Sequence, residues 1–63
     1  MLGEHDLWVF EKAGNGKWMW KRYAPNNEYV GGCWPETYHN LKDCQRNAER
    51  HGWQEGKSRT RTL

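Results

Sequence analysis

The sequence predicts an α+β fold: a three-stranded antiparallel β-sheet with one C-terminal α-helix packed on one face. Three observations carry that expectation. Aromatic and β-branched runs recur at residues 7–12, 18–23 and 28–33. Short stretches rich in Gly, Asn and Pro separate them, too short for anything but hairpin connections. One segment of helical period then follows at residues 41–51.

The first strand is LWVFEK, residues 7–12. Alternation places Leu7 and Val9 on one face and Trp8 and Phe10 on the other, so both faces begin apolar. Such a strand is covered on both sides, or covered on one and displaying aromatics on the other. In AGNGK, Asn15-Gly16 predicts a two-residue type I′ turn, which needs positive φ at both positions. The second strand, Trp18 to Tyr23, carries Trp18, Trp20 and Arg22 on one face and Lys17, Met19, Lys21 and Tyr23 on the other. Trp18 and Trp20 are expected to face the helix and to form the core with Val9 or Phe10. A slip of one residue would exchange the two sets.

Pro25 and Asn26-Asn27 mark the second turn. The third strand, EYVGGC, is weakened by Gly31-Gly32, which predict a bulge or a close backbone approach. After the loop WPETYH, Asn40 reads as an N-cap, with Asp43 three residues on as a capping-box variant. Leu41, Cys44, Ala48 and His51 form one helical stripe. Gly52 is the expected stop, with Trp53 folding back as the hydrophobic contact of a Schellman end. Residues 1–53 are expected to form a single domain. Residues 54–63, with Lys57, Arg59 and Arg61 and no large apolar residue before Leu63, are expected to form a mobile basic tail.

The segments KWMWKRY, APNNEYVGG and ETYHNLKDCQRNAERHG resemble the YegP-like family, small bacterial domains of unknown function. The resemblance spans roughly residues 7–52 and rests on motifs that are also general hairpin and helix signals. Trp20 would be the family's tryptophan, Asn26-Asn27 its turn, Tyr38 the tyrosine before the helix, Asn40 the cap and Cys44 the helix cysteine. The turn here is Asn-Asn where the family has Asn-Gly, and Arg22 stands where the family prefers an aliphatic residue. The resemblance implies an α+β fold in single or tandem copies and a tendency to dimerise. It implies no catalytic residues.

A chain of 63 residues buries only about 60% of its unfolded surface, so its stability is expected to need help. Five Trp, three Tyr and one Phe supply area, since each large ring buries roughly 150–250 Å². Ten Lys and Arg against eight Asp and Glu make the chain mildly basic. The longest apolar run is Leu7 to Phe10, against roughly 20 residues for a membrane span. The N-terminal stretch MLGEHD has no basic region followed by an apolar one, and Gly3 does not directly follow Met1, so neither secretion nor myristoylation is expected. A cytoplasmic location follows, with Cys33 and Cys44 as free, buried thiols rather than a disulfide.

His5, Cys33, His39, Cys44 and His51 lack the spacing of a structural zinc site, so no metal or cofactor is expected. A chain this short has little room for a substrate pocket, and enzyme activity is not expected. The expected function is a non-catalytic protein-interaction module that homodimerises or docks onto a larger protein. One short helix is too narrow to cover every ring, and the remainder should form an exposed patch. The residues expected on it are Trp8, Phe10, Met19, Lys21, Tyr23, Trp34 and Trp53. The alternative is a single-stranded nucleic-acid-binding module, with Lys17, Lys21, Arg22, Tyr23 and the basic tail on a sheet face.

Overall fold

The structure is a computed structural model and describes residues 5–63. The N-terminal residues 1–4, on which the reading of no secretion signal and no myristoylation partly rests, lie outside the described residues. Strands β1 (Leu7–Lys12), β2 (Trp18–Tyr23) and β3 (Tyr29–Gly32) are followed by helix α1 (Leu41–Arg50) and a fourth strand, β4 (Arg59–Thr62). The sheet order is β3-β2-β1-β4. The first three strands are antiparallel neighbours, and β4 runs parallel to β1 on its other side.

The α+β class therefore holds, but the sheet is mixed and four-stranded. The segment expected as a mobile tail completes it, and a domain boundary at residue 53 falls inside the fold. The pairing register explains why RTRT forms a strand without an apolar run. Thr60 and Thr62 lie opposite Trp8 and Phe10, while Arg59 and Arg61 lie opposite Leu7 and Val9. The threonines thus take the helix side, and the arginines can lay their alkyl stems on the other face. At the sheet edge only one side of the backbone needs a partner.

Both hairpin turns sit where expected but differ in type. In the first, Gly16 N–H donates to Ala13 O at 2.9 Å and Ala13 N–H to Lys17 O at 2.7 Å. In the second, Asn27 N–H donates to Ala24 O at 2.8 Å and Ala24 N–H to Glu28 O at 2.8 Å. Only the last loop residue has positive φ, +80° at Gly16 and +69° at Asn27. These are three-residue loops closed by a left-handed residue, not the two-residue turn that Asn15-Gly16 predicted. The preceding asparagines explain the choice. Asn15 Oδ1 accepts from Lys17 N–H at 2.9 Å, and Asn26 Oδ1 from Glu28 N–H at 3.0 Å. Each side chain replaces a backbone acceptor two residues on.

Helix α1 ends as its sequence predicted. Gly52 has φ +111°, Trp53 N–H donates to Ala48 O at 3.0 Å, and Gly52 N–H to Glu49 O at 3.1 Å. These are the two bonds of a Schellman end. At the other end Asn40 is extended, but its side chain makes no capping bond, and Asp43 sits 3.9 Å from Arg46 instead.

The core is Trp8, Phe10, Trp20, Cys44, Ala48 and Trp53, with Trp18, Cys33, Tyr38 and Leu41 packed against it. Trp20 stands 5.1 Å from Trp8, and Phe10 meets Trp53 edge-on at 5.0 Å. Phe10 rather than Val9 is the β1 residue in this core. A buried indole N–H needs a partner, and Trp20 and Trp53 each have one. Trp20 Nε1 donates to Asn47 Oδ1 at 2.8 Å, and Trp53 Nε1 to Thr60 Oγ1 at 2.9 Å.

Three expected partner-binding residues are thus core residues. Trp8 is 2% exposed, Phe10 0% and Trp53 4%. Helix α1 is not their only cover. Trp53 is itself part of the cover, folded back by the helix end, and Arg22 lies over the Trp8 ring at 5.3 Å. Arg22 is held there by Asp6, with Nε 2.9 Å from Oδ2.

Removing residues 59–63 should leave the Trp53 indole N–H without its acceptor and expose the outer edge of β1. The expected loss is about 1–3 kcal/mol of unfolding free energy in urea titrations. An unchanged midpoint would restore the mobile-tail reading.

Candidate functional site

Residues opposite one another across paired strands share a face. Leu7 pairs with Tyr23, Val9 with Lys21 and Glu11 with Met19. Leu7 and Val9 also pair with Arg59 and Arg61, and Tyr23 with Tyr29. All of these lie on the face opposite the core. The fold has one helix among the described residues, and it packs on the other side. Half of the sheet surface is therefore left without a helical cover.

This face has an apolar and aromatic centre. Tyr29 lies across Gly32, where an added Cβ would stand 2.9 Å from the Tyr29 hydroxyl and 2.8 Å from the Trp20 carbonyl oxygen. The missing side chain lets the Tyr29 ring rest on the sheet, edge-on to Tyr23 at 5.8 Å. A hollow of about 360 Å³ is lined by Met19, Lys21, Tyr29 and Trp34, together with Ala13 and Gly14. A neighbouring one of about 300 Å³ runs along Leu7, Val9, Tyr23, Arg61 and Leu63. Trp34 is 62% exposed, Leu63 65% and Tyr29 57%.

The charges are placed unevenly. Lys21 Nζ sits 2.9 Å from Glu11 Oε1 near the centre. That hydrogen bond holds the lysine above its usual pKa, against a smaller opposing effect of burial. Arg61 is exposed at the rim of the second hollow. Arg59 donates from Nη1 to the His5 carbonyl at 3.3 Å.

Four expected partner-binding residues share this face or its rim: Met19, Lys21, Tyr23 and Trp34. Leu7, Val9, Glu11, Tyr29, Arg61 and Leu63 join them and were missed. Leu7 and Val9 were signalled by the alternation in β1. The arginine and the terminal leucine were hidden by the tail reading. The set expected for nucleic acid is split, because Arg22 points to the helix side against Trp8 and Asp6.

The chain's two thiols lie across the sheet from this face. Cys44 is fully buried and Cys33 half-buried, and both are free. Burial, followed by the neighbouring Cys33 thiol, pushes the Cys44 pKa up to about 12. Tyr38 is also raised, by burial and then by the Glu36 carboxylate, to which its hydroxyl donates at 3.2 Å. Among the described residues, no three His, Cys, Asp or Glu side chains stand together as a metal-ligand set. No helix among them is long and apolar enough to cross a membrane.

The Cys44 shift implies a direction for alkaline stability. Below its ordinary value of 9.0, folded and unfolded chains both keep the thiol proton. Between 9 and about 12 only the unfolded chain ionises, so stability falls as pH rises. Tyr38 adds to the fall above its ordinary value of 10.0. Thermal melts in reductant should show a shallower decline from pH 9 to roughly 11 for Cys44→Ala than for the parent chain. Equal slopes would show that the thiol is not buried in its neutral form. Compared with known proteins, the chain matches no family model, no curated protein and no solved structure, so the reading of this face rests on its geometry.

Proposed function

We propose that the chain is a non-catalytic protein-interaction module whose open sheet face docks onto a second copy of itself. The observation that carries this reading is the Lys21–Glu11 pair, set on the open face between apolar and aromatic residues. A face with both signs side by side is self-complementary. Under a two-fold axis, each copy's lysine can meet the other's glutamate while Met19, Tyr23 and Tyr29 pack between them. A second copy would also supply the core area that a chain this short lacks. The resemblance to YegP-like domains, with its implied tendency to dimerise, points the same way. A cytoplasmic setting belongs to this reading, since both thiols are free.

Single-stranded nucleic acid is the second reading, favoured by Tyr23, Tyr29 and Trp34 with Arg61 nearby. It ranks lower because Glu11 already occupies Lys21. A phosphate there would have to displace a carboxylate.

Sedimentation from about 10 μM to 1 mM should show a mass that doubles with concentration. Met19→Glu and Trp34→Ala should each weaken self-association roughly tenfold or more, with the circular dichroism of the monomer unchanged. A monomer throughout the range would sink the self-docking reading. Salt-sensitive binding of single-stranded oligonucleotides would then favour the second.

A further inference from the structure

The loop from β3 to α1 is fastened at its start by one cysteine. Cys33 N–H donates to Trp20 O at 3.2 Å, and Trp20 N–H returns a bond to Cys33 Sγ at 3.2 Å. The Cys33 thiol in turn donates to Glu36 O at 3.2 Å. These three bonds hold the sulfur inward, against the cluster that contains Cys44. Cys44 belongs to that cluster, near enough that the Cys33 thiol adds to the burial that raises its pKa. They are the only cysteines in the chain, so no other pairing within one molecule competes.

We propose that Cys33 and Cys44 form a site of reversible oxidation, closing to an intramolecular disulfide by exchange with a low-molecular-weight disulfide of the glutathione type. Cys33 is half-buried and Cys44 fully buried, so Cys33 is the residue that a small disulfide meets first. The Cys33 thiolate attacks one sulfur of the small disulfide. That S–S bond breaks, one glutathione leaves as a thiol, and Cys33 carries the other as a mixed disulfide. Cys44 then gives up its proton and attacks the Cys33 sulfur, releasing the second glutathione as a thiol. Two protein thiols are oxidised, one small disulfide is reduced, and the two protons end on the glutathiones.

The second step is gated by burial. With its pKa near 12, Cys44 is almost wholly protonated at neutral pH, so closure should be slow there. Its rate should rise about tenfold per pH unit while the thiolate fraction limits it. Once formed, the bond would tie the loop bearing Trp34 and Tyr38 directly to α1. Trp34 stands at the rim of the open face, so the same bond would stiffen part of that surface. The chemistry of the pair does not depend on what docks there.

The full chain, folded, would be equilibrated in glutathione redox buffers at about pH 8, where exchange proceeds. It would be quenched in acid and weighed, with peptide maps to locate the bond. A parallel series would hold the chain unfolded in guanidinium. The proposal expects loss of two hydrogens, joined Cys33 and Cys44 peptides, and a closure constant at least about tenfold larger in the folded chain. Cys44→Ala should retain glutathione on Cys33. Three results would each overturn the proposal: an equal or smaller constant in the folded chain, disulfide-linked dimers as the main product, or a Cys33 that stays unmodified in folded Cys44→Ala. If that variant does not fold, the parent chain's two constants still decide.

Discussion

Strand β1 is apolar on both faces and sits inside the sheet, with β2 on one side and β4 on the other. Trp8 and Phe10 on one face demand a seal, and the chain spends α1, Trp53 and the Arg22–Asp6 pair on making it. On the other face no helix among the described residues lies over Leu7 and Val9; Val9 is 7% exposed and Leu7 half-buried. A short chain with one helix cannot cover both sides of a sheet. The indole partners follow from the same constraint. Burying Trp20 and Trp53 obliges the fold to place Asn47 and Thr60 where they stand. The sealed face and the open face are thus two results of one strand's composition.

Much of this arrangement was legible in the residues. The limits of β1 and β2 follow from their aromatic and β-branched runs, and the helix end from Gly52-Trp53. The two glycines of β3 were informative as well. A pairing irregularity lies at Arg22 and Tyr23, and Gly32 is a close approach. The turn types were not legible, because they depend on whether an asparagine side chain or its backbone satisfies the next N–H. Nor was β4. Its arginines and threonines have no apolar signature, and its place is set by an edge of β1 far away in sequence.

The candidate face was half legible for the same reason. Alternation correctly turned Met19, Lys21 and Tyr23 away from the helix. Gly52-Trp53 signalled that Trp53 folds back, but not that its indole N–H meets Thr60 in an element not foreseen. Tyr29 could not be identified either, since its position depends on the bare backbone of Gly32. What survives from the sequence reading is the idea of uncovered aromatics. Tyr23 and Trp34 keep the place expected of them, Trp8, Phe10 and Trp53 belong to the core instead, and Tyr29 joins the open face.

The parallel pairing of β1 with β4 has a consequence for how the chain is made. β1 leaves the ribosome early and can form hairpins with β2 and then β3 as they follow. Its other edge has no partner until Arg59 has been added. During translation the nascent sheet therefore presents an unpaired apolar strand, the kind of surface on which chaperones act and neighbouring chains stick. Closure by so distant a segment is also the contact with the largest loop entropy to overcome, which places it late in folding.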